Sequence, residues 1–356
     1  MMNSDFWRKK KVLVTGHTGF KGGWLSLWLN ELGCETFGYA LRPPTNPSLF
    51  DEASLGEILA GSIADVCSLD DLSSAIDSAA PDIIIHMAAQ SVVLDSYTNP
   101  VYTYATNVMG TVHLLESVRK TGVRCTIVNV TTDKVYENVG QDKGYEESDR
   151  LGGSDPYSNS KACSEFVTAA YRQSYFPVSE IDKHGVAIAT ARAGNVVGGG
   201  DWTPWQLIPD VMASFREGNK VTLRHPDAIR PWQHVLDCLS GYLTLANRLH
   251  SDPEGYSGEW NFGPATNDRY SVADVVETLA RYWGIADGWE LDDRSHSHEA
   301  ATLSLDSSKA REQLQWQPKL TTGMALEWVA NWYKSYFSSG FARELCRGQI
   351  EQYMAL

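Results

Sequence analysis

Val12-Leu13-Val14-Thr15-Gly16-His17-Thr18-Gly19-Phe20-Lys21-Gly22 decides the fold of this chain. An apolar, β-branched run leads into three glycines spaced G-x-x-G-x-x-G, and the apolar residues Trp24–Leu29 follow at once. Gly16 permits a tight turn, Gly19 lets a pyrophosphate approach the backbone, and Gly22 lets helix and strand touch closely. The stretch therefore reads as strand, turn and helix start, with helix N-terminal amides facing an anion. His17, Phe20 and Lys21, between the glycines, join the same candidate dinucleotide site.

Working outward, short β-branched runs alternate with helix-length segments over the first 200 residues. Strands are predicted at Lys11–Thr15, Glu35–Ala40, Glu57–Ala60, Ile83–Met87, Thr126–Val130 and Val186–Ala191. Helices are predicted at Gly22–Leu32, Asp70–Ala80, Asn107–Thr121 and Ser158–Tyr175. Runs such as I-I-I-H and T-I-V-N-V are apolar on both faces, as strands of a covered parallel sheet must be. The expectation is an α/β chain of Rossmann type, a doubly wound parallel sheet. The alternation ends near residue 195, where Gly198-Gly199-Gly200-Asp201 reads as a flexible loop. We therefore expect a dinucleotide-binding domain over 1–194 and a smaller, partly interleaved C-terminal substrate domain over 195–356. A helix over Trp232–His250 is expected to return to the sheet.

The second strand lacks the terminal Asp or Glu that would hold the ribose 2′-hydroxyl of NAD. Arg42 stands there instead, able to meet a 2′-phosphate, stack on adenine or face solvent, so residue chemistry leaves NAD and NADP open. Asp65-Val66, after the third strand, is a candidate for the adenine amino group. Ala88-Ala89-Gln90 ends the fourth strand in residues small enough for a cofactor ribose to approach.

Two further stretches carry chemistry. Tyr157-Ser158-Asn159-Ser160-Lys161 places a phenol and an ammonium on one helix face. A cation beside the phenol is expected to lower its pKa, so that the phenolate accepts a proton from a substrate hydroxyl. Val130-Thr131-Thr132-Asp133-Lys134 ends a strand with a hydroxyl, a carboxyl and an amine, and Asp133-Lys134 can provide an acid and a base.

Composition bounds the partners. A formal net charge of −14 excludes a phosphate-backbone reader. Cys34, Cys67, Cys125, Cys163, Cys238 and Cys346 are widely spaced, without C-x-x-C or metal-ligand spacing, and read as reduced thiols of a cytoplasmic protein. No signal peptide or membrane span is expected, since Trp24–Leu29 is too short to cross a bilayer. The 12 Trp residues are more than core packing demands, and a bulky core or subunit interface is the expected use of most of them.

With these elements in place, the sequence resembles the nucleotide-sugar 4,6-dehydratases of the extended short-chain dehydrogenase/reductase type, nearly end to end. The matching residues are the glycine turn, H-M-A-A-Q at 86–90, Asn107 with Gly110-Thr111, T-T-D-K-V-Y at 131–136, and Tyr157 with Lys161. Later matches are Arg192-x-x-Asn195, Arg230-Pro231-Trp232, Asn261-Phe262-Gly263, and Leu305-Asp306, Lys309 and Trp316-x-Pro318. Most relatives carry Asp-Glu where this chain has Asp133-Lys134. The wording T-G-H-T-G-F-K-G, T-T-D-K and R-P-W-Q-H-V narrows the resemblance to members acting on a CDP-sugar.

The resemblance implies NAD as cofactor and loss of one water from the sugar. Tyr157 would take the C4 hydroxyl proton with Thr132 bonded to the same oxygen, and Lys161 would hold the nicotinamide ribose. Lys134 would remove the C5 proton and Asp133 would protonate the leaving C6 hydroxyl. Lys134 acts as a base only when neutral, a state favoured by positive charge on Lys161 and the oxidised nicotinamide. Asn107 is implied at the cofactor, and Ser91, Arg192, Asn195, Trp202 and Arg230 at the substrate. His298-Glu299 falls in a segment that carries a phosphate-binding Arg in the family, but Arg294 is one place out of register, and the segment reads as a surface loop. Homodimers or homotetramers are implied, through helices near Val108–Thr121 and Tyr157–Tyr175. The rival readings are a nucleotide-sugar 4-epimerase, which needs no acid and base at C5 and C6, a 4,6-dehydratase for dTDP-glucose or GDP-mannose, since no motif reads the base, and a non-catalytic dinucleotide sensor.

Overall fold

The computed structural model describes residues 4–141, 143–265, 268–292 and 302–356. Seven parallel strands form the central sheet: β1 (Lys11–Thr15), β2 (Glu35–Ala40), β3 (Ala60–Ile63), β4 (Ile83–His86), β5 (Thr126–Val130), β6 (Ala187–Ala193) and β7 (Gly258–Phe262). Their spatial order is β7-β6-β5-β4-β1-β2-β3, and the reversal between β1 and β4 is the switch point of a doubly wound fold.

Alternation along each strand explains the two helical layers. Val12, Val14, Ile83, Ile85, Val128 and Val130 turn to one face. They bury against α1 (Phe20–Glu31) and against later helices described below. Leu13, Ile84, Ile127 and Ile188 turn to the other. They meet Leu72 and Ile76 of α2 (Leu69–Ala79), Leu114, Leu115 and Val118 of α3 (Gly110–Thr121), and α4 (Pro156–Ser174). Both faces are covered, which is why the strands read as unbroken apolar runs.

The sequence placed the third strand at 57–60, but Leu55–Glu57 is a 3₁₀ turn and pairing begins at Ala60. All four residues of β3 are exposed on the sheet edge, so burial imposes no apolar pattern there to read. β7 was not predicted. It pairs with Ala189–Ala193 and turns Trp260 and Phe262 into the same core as Val128.

After β6 the chain forms α5 (Leu207–Arg216), α6 (Val235–Ser251), α7 (Val272–Trp283), α8 (Thr322–Ser339) and α9 (Ala342–Ala355). Helix α6 packs on β5 and β6, and α9 packs on α1. Gly198-Gly199-Gly200-Asp201 is not a flexible loop. All four residues are buried, Trp24 donates its indole N–H to the Gly199 carbonyl at 2.9 Å, and a Cβ on Gly199 would lie 2.1 Å from the Trp332 ring. The glycines are there for close approach rather than for mobility, Gly199 to Trp332, Gly198 to Phe20 and Val235, and Gly200 to Leu49. Trp7, Trp24, Trp28, Trp260 and Trp332 are fully buried, so much of the tryptophan excess is core. Among the described residues no helix is long and apolar enough to cross a membrane.

Candidate functional site

The carboxyl ends of the central strands open into a cavity of about 610 Å³. Its first wall is the glycine turn. Gly16 has φ +79°, and a Cβ there would stand 2.8 Å from the Ala88 nitrogen. A Cβ on Gly22 would stand 2.1 Å from the Gly16 carbonyl oxygen, whereas one on Gly19 would meet that oxygen only at 3.5 Å. Gly16 and Gly22 thus close the turn, and Gly19 keeps its cavity side bare at the start of α1. This cradle fits the pyrophosphate of a dinucleotide.

Thr15 fixes the neighbouring loop. Its hydroxyl oxygen accepts from the Met87 and Ala88 amides at 3.0 and 3.1 Å, which leaves its proton for His86 Nδ1 at 2.8 Å. Burial pushes His86 down to about 3, with Lys161 adding to the fall, so the imidazole stays neutral. Ala88, Ala89, Gln90 and Ser91 line the cavity. Asn107 does not. Its amide bonds the Gln90 nitrogen and carbonyl and the Ser160 hydroxyl, each at 2.9 Å, so it ties the loop to α4 from behind.

Tyr157 and Lys161 ride on α4, which Asp155 and Ser158 start with a reciprocal capping box ahead of Pro156. The Tyr157 amide also donates to the Ser96 hydroxyl at 3.2 Å. The phenol lines the cavity. Its pKa is raised, contrary to the sequence expectation: burial outweighs the Thr132 hydroxyl, and Asp133 pushes the same way as burial. The cation is the group that yields. Lys161 is 6% exposed, donates to the Val130 carbonyl at 3.0 Å, and is lowered to about 7 by burial first and by Lys21 second.

Thr132, Asp133 and Lys134 enter the same cavity from the end of β5. Thr132 caps a single 3₁₀ turn over Asp133–Val135 and donates to Asp133 Oδ1 at 3.0 Å. Asp133 is 1% exposed, and its Oδ2 has no hydrogen-bond partner among the described residues. Burial raises its pKa against the lowering pull of Lys134, Thr132 and Arg230. Lys134 is half-buried, with Nζ 5.9 Å from the Tyr157 ring centre. A carboxyl biased toward its protonated form, an amine and a phenol thus converge on one space.

Other expected residues divide into two sets. Phe20, Lys21, Arg42, Asp65, Val66 and Asn195 line the cavity. Lys21 Nζ also approaches the Tyr242 hydroxyl of α6 at 3.5 Å. Arg42 is exposed on the rim. Asn195 Oδ1 and Gln90 Oε1 are buried without partners among the described residues, two acceptors available to a ligand.

His17, Arg192, Trp202 and Arg230 stand outside the lining. His17 is 1% exposed and lies over Gly38 and Gly61 against Phe50, and burial lowers it to about 4. It fills a slot beneath the turn, away from the phosphates it was expected to reach. Arg192, expected at the substrate, is locked onto Glu165 at 3.0 Å inside the protein. Trp202 packs edge-on against Trp332, Tyr333 and Tyr336. Arg230 donates to the Ile229 carbonyl, and its charge reaches Asp133. Arg294 and His298-Glu299 lie outside the described residues.

Sequence reasoning missed Asp95, Tyr102, Thr106, Asp201, Thr203 and Gln206, all of which line the cavity. Asp201, directly after the glycine run, had a sequence signal that was read as a loop. Asp95, Tyr102 and Thr106 sit on short helical segments between β4 and α3 that were not predicted, and Thr203 and Gln206 follow the glycine run with no motif.

A family model described as GDP-mannose 4,6 dehydratase matches residues 13–327. Over 355 residues the chain is 45% identical to the CDP-glucose 4,6-dehydratase of Salmonella typhimurium, covering 100% of this chain and 99% of that one. The dTDP-glucose 4,6-dehydratase of Bacillus anthracis, solved in complex with NAD, superposes with a TM-score of 0.76 at 24% identity, covering 92% of this chain and 97% of that one. A UDP-glucose 4-epimerase of Thermotoga maritima, solved with UDP-glucose, superposes with a TM-score of 0.78 at 19% identity, covering 92% and 99%. At these identities the two structures speak to the fold alone.

Proposed function

This chain belongs to the GDP-mannose 4,6-dehydratase family, and from that premise we propose that it converts CDP-glucose to CDP-4-dehydro-6-deoxyglucose and water. One observation carries the reading: Asp133 and Lys134 face the same cavity as Tyr157. Hydride transfer at C4 needs only the phenol and its neighbouring lysine; an added acid and base suit elimination across C5 and C6. The full-length likeness to a CDP-glucose enzyme supports the choice of substrate.

NAD is the cofactor in this reading, held by Gly16, Gly19 and Gly22 at its pyrophosphate, by Asp65 and Val66 at its adenine, and by Lys161 at its ribose. When bound, it supplies the hydride acceptor at C4 and the hydride donor at C6. Tyr157 takes the C4 hydroxyl proton, with Thr132 sharing the oxygen. A raised phenol pKa opposes this, and the charge on Lys161 is the group able to ease it once ligands seat. The ketone at C4 acidifies C5, where Lys134 removes the proton and gives one back once C6 has received its hydride. Asp133 protonates the C6 hydroxyl, which leaves as water, and burial, by raising its pKa, favours the protonated form that this step needs. Asn195 and Ser91, which line the cavity, are assigned to the substrate, and Arg230 is assigned to it from just outside the lining, where its charge reaches Asp133.

We assign residues 1–194 to the dinucleotide and 195–356 mainly to the nucleotide sugar. All six cysteines are free, which supports a cytoplasmic enzyme feeding deoxysugar synthesis for cell-surface polysaccharide. Exposed Val101 and Tyr102 on the short helix Pro100–Tyr104, Met109 just before α3 and Phe166 on α4 support a homodimer or homotetramer.

The test is incubation with CDP-, dTDP- and UDP-glucose and GDP-mannose, scored by mass. Loss of one water from CDP-glucose is expected, and conserved mass with an inverted C4 would establish an epimerase instead. With C4-deuterated CDP-glucose, deuterium is expected at C6; its absence from C6 would sink the mechanism.

A further inference from the structure

The residues that enter the cavity are held in place by residues that do not. Glu165 lies one helical turn beyond Lys161 on α4 and is 3% exposed. Its Oε1 accepts from the Thr131 hydroxyl at 2.5 Å and from Arg192 Nε at 3.0 Å. Its Oε2 accepts from the Thr190 hydroxyl at 2.7 Å and from Arg192 Nη2 at 3.0 Å. Arg192, 2% exposed, also donates from Nη1 to the Tyr136 hydroxyl at 2.9 Å and the Glu147 carbonyl at 3.1 Å. Tyr136 in turn donates to Asn261 Oδ1 at 2.7 Å.

These contacts bracket the acid and base. Thr131 immediately precedes the stretch carrying Thr132, Asp133 and Lys134, and Tyr136 closes it. Between the two pins the chain makes a single 3₁₀ turn, whose capping bond from the Lys134 amide to Thr132 is a long 3.4 Å. A turn that short sets no geometry by itself. Tyr157 and Lys161 need no such support, since the helix fixes their spacing. A buried ion pair is also a poor means of adding stability, because desolvation offsets most of its attraction. What it supplies here is direction, through a planar guanidinium gripping a carboxylate at two points.

We propose that the Glu165–Arg192 pair is a positioning device for the elimination half of the reaction: it pins both ends of the Asp133–Lys134 turn to the helix that carries Tyr157 and Lys161. This rests on the dehydratase reading above. It also gives Arg192 a role in place of the expected substrate contact.

The test uses Thr131→Val and Tyr136→Phe, each of which removes one pin and leaves Glu165 paired with Arg192. C4 oxidation is followed as reduced cofactor in a single turnover, and elimination as C5 exchange with deuterated solvent and as water loss. The expected result is C4 oxidation and KM within about twofold of the unsubstituted enzyme, with C5 exchange and water loss down by roughly 10- to 100-fold, the scale of an ångström-level misplacement. Thr131→Ser, which restores the bond to Glu165, is expected to recover the rate. Equal loss in both half-reactions, or no loss in either, overturns the proposal. If one variant fails to fold, as judged by its melt, the other carries the test by the same criterion. The enzyme without substitutions answers the prior question: if it removes no water from CDP-glucose, the functional reading fails first and the pin falls with it.

Discussion

Replacing Lys161 with Met should make the cofactor-free protein more stable while abolishing turnover. Lys161 is buried and lowered from 10.5 to about 7. That fall corresponds to about 5 kcal/mol for carrying the charged form in the folded state. The sign follows from proton counting. Between about pH 7 and 10.5 the unfolded chain holds a proton that the folded chain has released, so stability rises with pH across that window. The penalty is fully present below pH 7 and has fallen to about 1.5 kcal/mol near pH 9.5. Against it stands the bond from Lys161 to the Val130 carbonyl, whose loss costs about 2–3 kcal/mol.

The net expectation is a gain of about 2–3 kcal/mol near pH 6. For a chain of this length that amounts to roughly 3–4 °C in Tm, from an unfolding entropy of about 2 cal/mol/K per residue. Calorimetric melts of dialysed protein near pH 6 and pH 9.5 measure it. The Met variant should melt higher at the lower pH and lose that advantage at the higher one. A variant that melts lower near pH 6, or a difference independent of pH, would refute the reasoning.

Other expectations follow from the same geometry. Gly22→Ala drives a Cβ to 2.1 Å from the Gly16 carbonyl and should destabilise by about 3 kcal/mol or more in chemical denaturation, whereas Gly19→Ala should leave stability within about 0.5 kcal/mol and weaken dinucleotide binding in calorimetric titration. Lys134→Ala should leave C4 oxidation measurable and abolish C5 exchange with deuterated solvent; unchanged exchange removes Lys134 from the base role. Asp237, which accepts from the Lys319 and Leu320 amides and the Tyr353 hydroxyl, is raised by burial from 3.8 to about 6. Its contribution of up to about 3 kcal/mol is present below pH 4 and lost as pH rises through 6, so Asp237→Asn should flatten that part of the urea-midpoint profile.

The sequence was most legible where covalent geometry and burial act together. Gly16 and Gly22 could be read because no other residue fits within 3 Å of backbone, and β1, β4 and β5 because two covered faces demand unbroken apolar residues. β3 was misplaced for the opposite reason: an exposed edge strand written A-G-S-I carries no burial signal. The site was legible in its reacting residues and much less so in their supports. Arg192 and Asn107 were both read as ligand contacts, yet each makes its bonds to other parts of the chain. A polar residue that touches substrate and one that holds it up from behind have the same letter and the same spacing. Only the partner distinguishes them, and Glu165 lies 27 residues before Arg192 in another element.

The pKa of the phenol was misjudged because the sequence shows which charges are near but not how deeply they are buried. Lys161 was expected to acidify Tyr157, an argument that treats the ammonium as a fixed charge. In the folded chain burial acts on each group toward its neutral form: it raises Asp133 and Tyr157 and lowers Lys161. For a dehydration this is the useful direction for the acid, since Asp133 must hold a proton to give to the leaving hydroxyl, and a solvated carboxyl would not. It is the unhelpful direction for the phenol. Because Lys161 sits near neutral pH, a modest change in its surroundings suffices to shift its charge, and with that charge the field felt by Tyr157. The stability lost by burying that lysine is therefore tied to the site's capacity to switch it, and the Lys161→Met variant separates the two: stability should rise as turnover disappears.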